Sequence, residues 1–382
     1  MNILLVDTND IEPRIAPLGL EYLGESLTPR HTVLITDDPT DDEIQHSDLI
    51  GISIRNIDNT GFRPAEFYLP KVAELVQKCR TKRVPRRETA IIIGGSAVNL
   101  MPEEVRQFVG ATYAFTGDDK VTGYFERNLI DHSRYPGGVG VATKFGCPFE
   151  CSYCDYPAVC GSKVRERSVS EVCHELGRLE EQGVKRIFFS DANFNHPAEH
   201  AIAILRTLRF RRLQIEWEGF INPHPQCLTE EFVKEAALSG KRVLALGVDS
   251  MSRGGLLHLQ KSFTIEDIFS GVDLCRRHGI EVDFSLLFGH PAETEEDIRE
   301  SFKNIDRMKP GFVDVVAGIR IYPKTTLYSW CLWQGLIGQR QSLLKPYYLP
   351  IRPELARIIE NETAERENCH LSSPASLEMY RG

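Results

Sequence analysis

The chain has 382 residues, a formal net charge of −9 and ten cysteines. Its content, 42% apolar and 26% charged, is that of a folded globular protein and excludes global disorder and collagen-like repeats. The length fits two domains or one barrel with an added lobe, no apolar run reaches the ~18 residues that cross a bilayer, and the acidic balance argues against a nucleic-acid partner.

The chain opens Met1-Asn2-Ile3-Leu4-Leu5-Val6-Asp7, with neither a basic leader nor a small-residue cleavage site. It reads as a buried strand, so a cytoplasmic protein with no membrane partner is expected. Strands are predicted over 3–6, 33–36, 49–54, 90–93 and 112–115, with helices over 18–27, 41–46, 67–79 and 102–108 between them. This rhythm predicts an α/β, Rossmann-like, doubly wound parallel sheet. Ligands of such sheets sit beyond the carboxyl ends of the strands, here Asp7-Thr8-Asn9, Ser53 to Asn59, Gly94-Gly95-Ser96 and Gly117-Asp118-Asp119. The basic run 80–87 reads as a solvated loop. A looser stretch, 130–138, reads as a linker.

Beyond it the rhythm repeats. Strands are predicted over 140–143, 186–189, 214–220, 243–247, 282–288 and 314–319, with helices over 170–182, 198–208, 229–237, 264–278 and 293–308. Ser170 and Thr264 are the predicted caps. Six such units predict a partial (β/α)6 barrel. From Tyr322 onward the chain is expected to cap the barrel, with 362–382 frayed. The expected domains are 1–135, 136–333 and 334–382.

Ten cysteines in a reducing compartment are not expected to form a disulfide framework. Three fall in one loop, Cys147-Pro148-Phe149-Glu150-Cys151-Ser152-Tyr153-Cys154, spaced C-x3-C-x2-C. Structural zinc wants four ligands, which Cys160 would have to complete; a [4Fe–4S] cluster is held by thiolates, and three would leave one iron open. Three plain buried cysteines are the remaining alternative. Cys79, Cys173, Cys227, Cys275 and Cys331 lack partners at ligand spacing and read as ordinary thiols, whereas Cys160 and Cys369 stay open.

The loop resembles the signature of the radical S-adenosylmethionine (SAM) superfamily, C-x3-C-x-aromatic-C, with Cys147, Cys151 and Cys154 as cluster ligands and Tyr153 in the aromatic position. The resemblance implies an enzyme in which SAM chelates the open iron and one electron releases a 5′-deoxyadenosyl radical. It extends over the barrel. Gly247-Val248-Asp249-Ser250 is similar to the family's G-[VI]-E-S strand end, implying that Asp249 and Ser250 hold ribose. Leu287 and Gly289, in Leu287-Phe288-Gly289-His290-Pro291-Ala292-Glu293-Thr294, are implied to face adenine. Asp191 is implied to accept from the SAM ammonium, and Arg167 to meet its carboxylate. Lys261-Ser262-Phe263-Thr264 resembles a family motif whose Thr caps a helix. Candidate substrate residues are Glu216, Glu218, Asn222 and His290, and Arg320 is the candidate anchor for an anionic group.

Relatives with this arrangement carry an N-terminal cobalamin-binding-like domain. Here the family's D-x-H-x-x-G motif is absent and Gly117-Asp118-Asp119-Lys120 replaces its G-E-G-E, which leaves cobalamin open. The leading expectation is a radical SAM transferase or biosynthetic enzyme that forms or rearranges a carbon–carbon bond in a small molecule, such as a sugar or nucleoside. Cobalamin-dependent methyl transfer, aminocarboxypropyl transfer and a non-catalytic Fe–S or zinc scaffold are the alternatives. A small-molecule substrate and a reducing partner such as flavodoxin or ferredoxin are expected, and activity should be oxygen-sensitive.

Overall fold

The computed structural model describes residues 1–9, 12–58, 66–82, 90–117 and 122–372. Two parallel sheets organise it. The first contains β1 (Asn2–Asp7), β2 (Thr32–Thr36), β3 (Leu49–Ser53), β4 (Ile91–Gly94) and β5 (Tyr113–Ala114) in the order β2-β1-β3-β4-β5. Five of the six β1 residues are buried, as a central strand covered on both faces requires. The strand order reverses between β1 and β3, the place where doubly wound sheets open a crevice for ligands. Across it the Thr8 hydroxyl donates to the Ser53 carbonyl at 2.7 Å. Gly95 has φ +106°, and a Cβ there would lie 2.5 Å from the Ile54 carbonyl oxygen, so close backbone approach demands glycine. The expected basic loop lies outside the described residues from position 83 to 87, as do residues 118–120 of the Gly117 turn.

Next along the chain come β6 (Val139–Val141), β7 (Lys144–Phe145), β8 (Arg165–Glu166), β9 (Arg186–Phe189), β10 (Glu216–Ile221), β11 (Val243–Asp249), β12 (Glu281–Phe288), β13 (Val313–Ala317) and β14 (Cys369–Leu371). The second sheet runs β14-β13-β12-β11-β10-β9-β6. All six expected barrel strands are present. Their residues alternate: Val282, Phe284, Leu286 and Phe288 of β12 are buried under helices, while the intervening residues line a more open inner face. The helices start where local chemistry dictates. Thr264 and Thr294 form capping boxes with Asp267 and Asp297. The box of helix Val169–Glu181 uses Ser168 and Glu171, so the expected cap Ser170 is corrected by two residues.

The tail also corrects expectation. Instead of fraying, it forms helix Pro353–Ala364, whose Leu355, Ala356 and Ile359 enter the barrel core, and then adds β14 as a seventh strand parallel to β13. Residues 373–382 lie outside the described residues. The stretch between β13 and that helix turns the other way. Ile319, Ile321, Leu327, Cys331 and Leu349 complete the apolar core of the first sheet, alongside Ile52, Ile93 and Val98.

A charged network joins the two sheets from within. Arg127, wholly buried, donates Nε and Nη2 to Glu21 at 3.1 and 2.5 Å, and Nη1 to Glu175 and to the Gly140 carbonyl. Arg167 Nη1 meets Glu175 at 2.7 Å, the Tyr22 hydroxyl at 3.0 Å and the Ala142 carbonyl at 2.7 Å, and His132 Nε2 lies 2.9 Å from Glu21. Two guanidinium groups thus face two carboxylates, the balance a buried ionic cluster needs.

Candidate active site

The cysteine loop leaves the barrel after β6 and is closed at its base by the antiparallel pair β7–β8. Gly146 has φ +86°, and a Cβ there would strike the Lys163 carbonyl at 2.1 Å. The next residue donates Cys147 N–H to the Gly161 carbonyl at 3.1 Å, and Cys154 N–H donates to Cys151 at 3.1 Å. Cys147 is buried and Cys151 and Cys154 half-buried, and all ten cysteines of the chain are free. Burial pushes the three loop thiols up, Cys154 to about 12. Cys151 raises the pKa of Cys147, and Cys151 and Cys147 raise that of Cys154, as neighbouring thiolates do. Thiols this reluctant to ionise become thiolates when a metal takes the proton's place. Asn193 Nδ2 lies 3.5 Å from Cys147 Sγ. Cys160 hydrogen-bonds Tyr156 from the helix Tyr156–Cys160 and is not part of the triad. Among the described residues the three sulfurs are not drawn into a closed single-metal site, and their common loop and C-x3-C-x2-C spacing suit a larger cluster that keeps one iron open.

The strand-end residues divide. Asp249 has φ +59° at a register irregularity between β11 and β12. Its Oδ2 accepts from the Tyr153 hydroxyl and from Lys261 Nζ, the latter at 2.5 Å. The signature aromatic therefore bonds the expected ribose carboxylate. Lys261, read from sequence only as part of a capping motif, proves to be a buried cation of the site. Gly289 has φ +109°; a Cβ there would meet Ile351 at 3.1 Å and the Gly318 backbone at 3.3 Å. Its N–H donates to Glu293 at 2.7 Å, and burial lifts the Glu293 carboxyl to about 8, so at neutral pH it is largely protonated. Leu287 is half-buried on the inner face and touches the apolar core of the first sheet.

The other candidate side chains have the following partners within the protein. Asp191 is saturated: Oδ1 accepts from Thr143 N–H at 2.8 Å and Lys144 N–H at 3.2 Å, and Oδ2 from the Thr143 hydroxyl and Lys144 Nζ at 2.5 and 2.7 Å. It ties the first two barrel strands together and has no oxygen to spare for an ammonium. Arg167 is committed to the buried network. Ser250 turns inward, its hydroxyl accepting from Ser252 N–H at 3.2 Å under the backbone of helix Arg253–His258. Glu216 and Glu218 lie in the first half of β10 beside Arg186, at 3.6 and 4.0 Å, away from the strand's carboxyl end. The Asn222 side chain accepts from His224 N–H. The His290 ring stacks on His258 at 5.2 Å, and burial and His258 bring its pKa to about 4. Arg320 is buried, with Nη1 2.7 Å from Asp58 and its guanidinium 4.4 Å over the Tyr322 ring. Among the described residues its Nε and Nη2 have no hydrogen-bond partner, so this is a donor pair open to a ligand.

The first sheet and the loop touch. Asn99 Nδ2, on helix Ser96–Leu100 after β4, donates to the Val159 carbonyl at 3.1 Å, and Tyr153, Ala158 and Val159 pack on the first sheet's core.

Comparisons agree with this geometry. Residues 142–305 match the model of the radical SAM superfamily. An uncharacterized methyltransferase of Pyrococcus horikoshii is 24% identical over 378 residues, covering 84% of this chain and 79% of its own length. A tryptophan 2-C-methyltransferase of Streptomyces laurentii is 27% identical over 211 residues, 51% of this chain, and the match spans only 35% of that protein. Among solved structures, the radical SAM methyltransferase TsrM of Kitasatospora setae, with cobalamin and a [4Fe–4S] cluster bound, superposes with TM-score 0.79 at 22% identity, over 90% of this chain and 79% of its own. The cobalamin-dependent radical enzyme OxsB gives 0.73 at 14% identity, over 95% and 66%.

Proposed function

From the radical SAM domain at residues 142–305, we propose that this chain is a cobalamin-dependent radical SAM methyltransferase acting on a carbon atom of a small molecule. One observation carries the reading: the ligand edge of the doubly wound sheet abuts the cysteine loop, through Asn99 and the apolar contacts of Tyr153, Ala158 and Val159. A ligand on that edge would lie next to the triad. The names of the similar proteins point the same way, and the Pyrococcus horikoshii relative is matched over most of its length.

The cluster, SAM and cobalamin supply the electron transfer and the methyl donor chemistry. The protein's own contribution is holding and exclusion. Cys147, Cys151 and Cys154 would hold the cluster, with Tyr153 fixing the loop to Asp249. Asp249 Oδ1 is the atom placed to reach a ribose hydroxyl, since both its described bonds fall on Oδ2. Gly289 brings backbone close to the mouth, its turn held by Glu293. The open donors of Arg320 suit a carboxylate or carbonyl oxygen of the substrate. A flavodoxin- or ferredoxin-type protein would deliver the electrons.

The test is anaerobic reconstitution with iron, sulfide and hydroxocobalamin, then incubation with SAM and a low-potential reductant. The expected result is cobalamin retained through gel filtration and S-adenosylhomocysteine released. Loss of cobalamin, with 5′-deoxyadenosine as the sole SAM product, would overturn methyl transfer in favour of carbon–carbon rearrangement.

A further inference from the structure

Lys261 sits in the turn after helix Arg253–His258, with a side chain only 7% exposed. A lysine so enclosed keeps its charge only if something compensates the lost hydration. Asp249 does part of this at 2.5 Å, and the ammonium also lies over the Phe263 ring at 5.2 Å and the Tyr153 ring at 6.0 Å. The rest comes from the cysteine loop. Lys261 hydrogen-bonds Cys151, and its field reaches Cys147 and Cys154 as well. The ammonium thus lies between a carboxylate anchored by Tyr153 and the sulfur of Cys151.

We propose that Lys261 is a positioning residue that sets the reduction potential of the iron–sulfur centre, its ammonium held by Asp249 against the sulfur of Cys151. This rests on reading Cys147, Cys151 and Cys154 as cluster ligands. When an external low-potential donor, a flavodoxin, a ferredoxin or dithionite, gives one electron to the centre, the donor is oxidised and the sulfur-ligated centre gains one negative charge. A cation in a water-poor setting stabilises that added charge more than it stabilises the oxidised form. Lys261 therefore makes the centre easier to reduce, and Asp249, an anion behind it, makes it harder. The opposite signs separate electrostatic control from a purely structural role, since breaking the Lys261–Asp249 pair from either end would disturb the turn alike.

The experiment is an EPR-monitored redox titration of the full chain, reconstituted anaerobically, for wild type, Lys261→Met, Lys261→Arg and Asp249→Asn. In Lys261→Met the reduced-to-oxidised ratio at a fixed potential is expected to fall at least tenfold, a negative shift of about 59 mV for one electron. Lys261→Arg should keep the ratio within about twofold of wild type. Asp249→Asn should raise it. Equal potentials in all four proteins, or shifts of the same sign in Lys261→Met and Asp249→Asn, would overturn the proposal. If Lys261→Met assembles no cluster, Asp249→Asn decides alone: an upward shift supports the proposal, and no shift or a downward one overturns it. A wild-type protein that binds no cluster would instead overturn the ligand assignment on which the proposal rests.

Discussion

Replacing Arg127 by Met removes one cation from the sealed network and leaves its volume roughly filled. Four hydrogen bonds go with it: two to Glu21, one to Glu175 and one to the Gly140 carbonyl. Glu21 then keeps only His132, while Glu175 keeps Arg167 and Tyr22. Breaking a buried pair by removing one partner costs about 3–5 kcal/mol, because the other charge stays uncompensated. At about 2.1 cal/mol/K per residue, 382 residues unfolding together lose roughly 1.2 °C per kcal/mol, so melting should fall by about 5 °C. The pH dependence gives a sharper signature. In the wild type, burial would raise the Glu21 pKa, but His132 and Arg127 outweigh it and hold the carboxyl below its ordinary value. That stability is present above the unfolded pKa and lost as pH falls through the folded one. Without Arg127 less offsets burial, so the folded pKa rises and the stability that the carboxylate adds at higher pH shrinks. Thermal melts followed by circular dichroism at pH 5 and pH 8 test this. The variant should lose more at pH 8, and adding Glu21→Gln should recover part of the loss. A loss under about 1 kcal/mol, or one equal at both pH values, would refute the claim that the network is a sealed, charge-balanced unit.

Two further outcomes are expected. Cys151→Ala should yield a folded chain with no iron–sulfur absorbance and no SAM cleavage, whereas Cys275→Ala, in the barrel core, should retain both; iron quantitation and product analysis distinguish them. Glu293→Gln should flatten the fall in stability between about pH 4.5 and pH 8, where the unfolded state releases the proton that the folded carboxyl, its value raised to about 8, still keeps, at up to about 1.4 kcal/mol per pH unit. The glutamine carbonyl can still accept from Gly289, so SAM affinity near pH 7 should hold; loss of binding at that pH would mean the carboxylic acid proton itself is needed.

The periodic features were legible in sequence, and the partnerships between distant side chains were not. Both sheets, the helix Leu18–Leu27 and the cysteine loop follow from local spacing of apolar, glycine and cysteine residues. Asp191 was misread because nothing in the sequence shows that Thr143 and Lys144 fold back to fill its oxygens. Arg167 fell to the same cause, since Glu175 and Tyr22 approach it from different domains. Glu216 and Glu218 were displaced by uncertainty in which end of a strand meets the mouth. The strand β14 was hidden because three residues carry no measurable alternation, and its place is set by the Val313 to Val315 edge it pairs with. Lys261 was visible as a letter in a motif, but its meeting with Asp249 depends on how the turn after Leu259 brings it back to β11.

The apolar residues that complete the first sheet's core have a consequence for how the chain is made. Leu4, Ile52 and Ile93 share their cluster with Ile319, Ile321, Leu327 and Leu349, which leave the ribosome only after nearly the whole barrel has been synthesised. The domain that is translated first therefore cannot finish folding first, and it waits with a greasy flank exposed while its missing pieces are still being added. An isolated N-terminal fragment would keep that flank open permanently. The working protein is thus assembled as one unit in time as well as in space, with a late-made segment closing the earliest one.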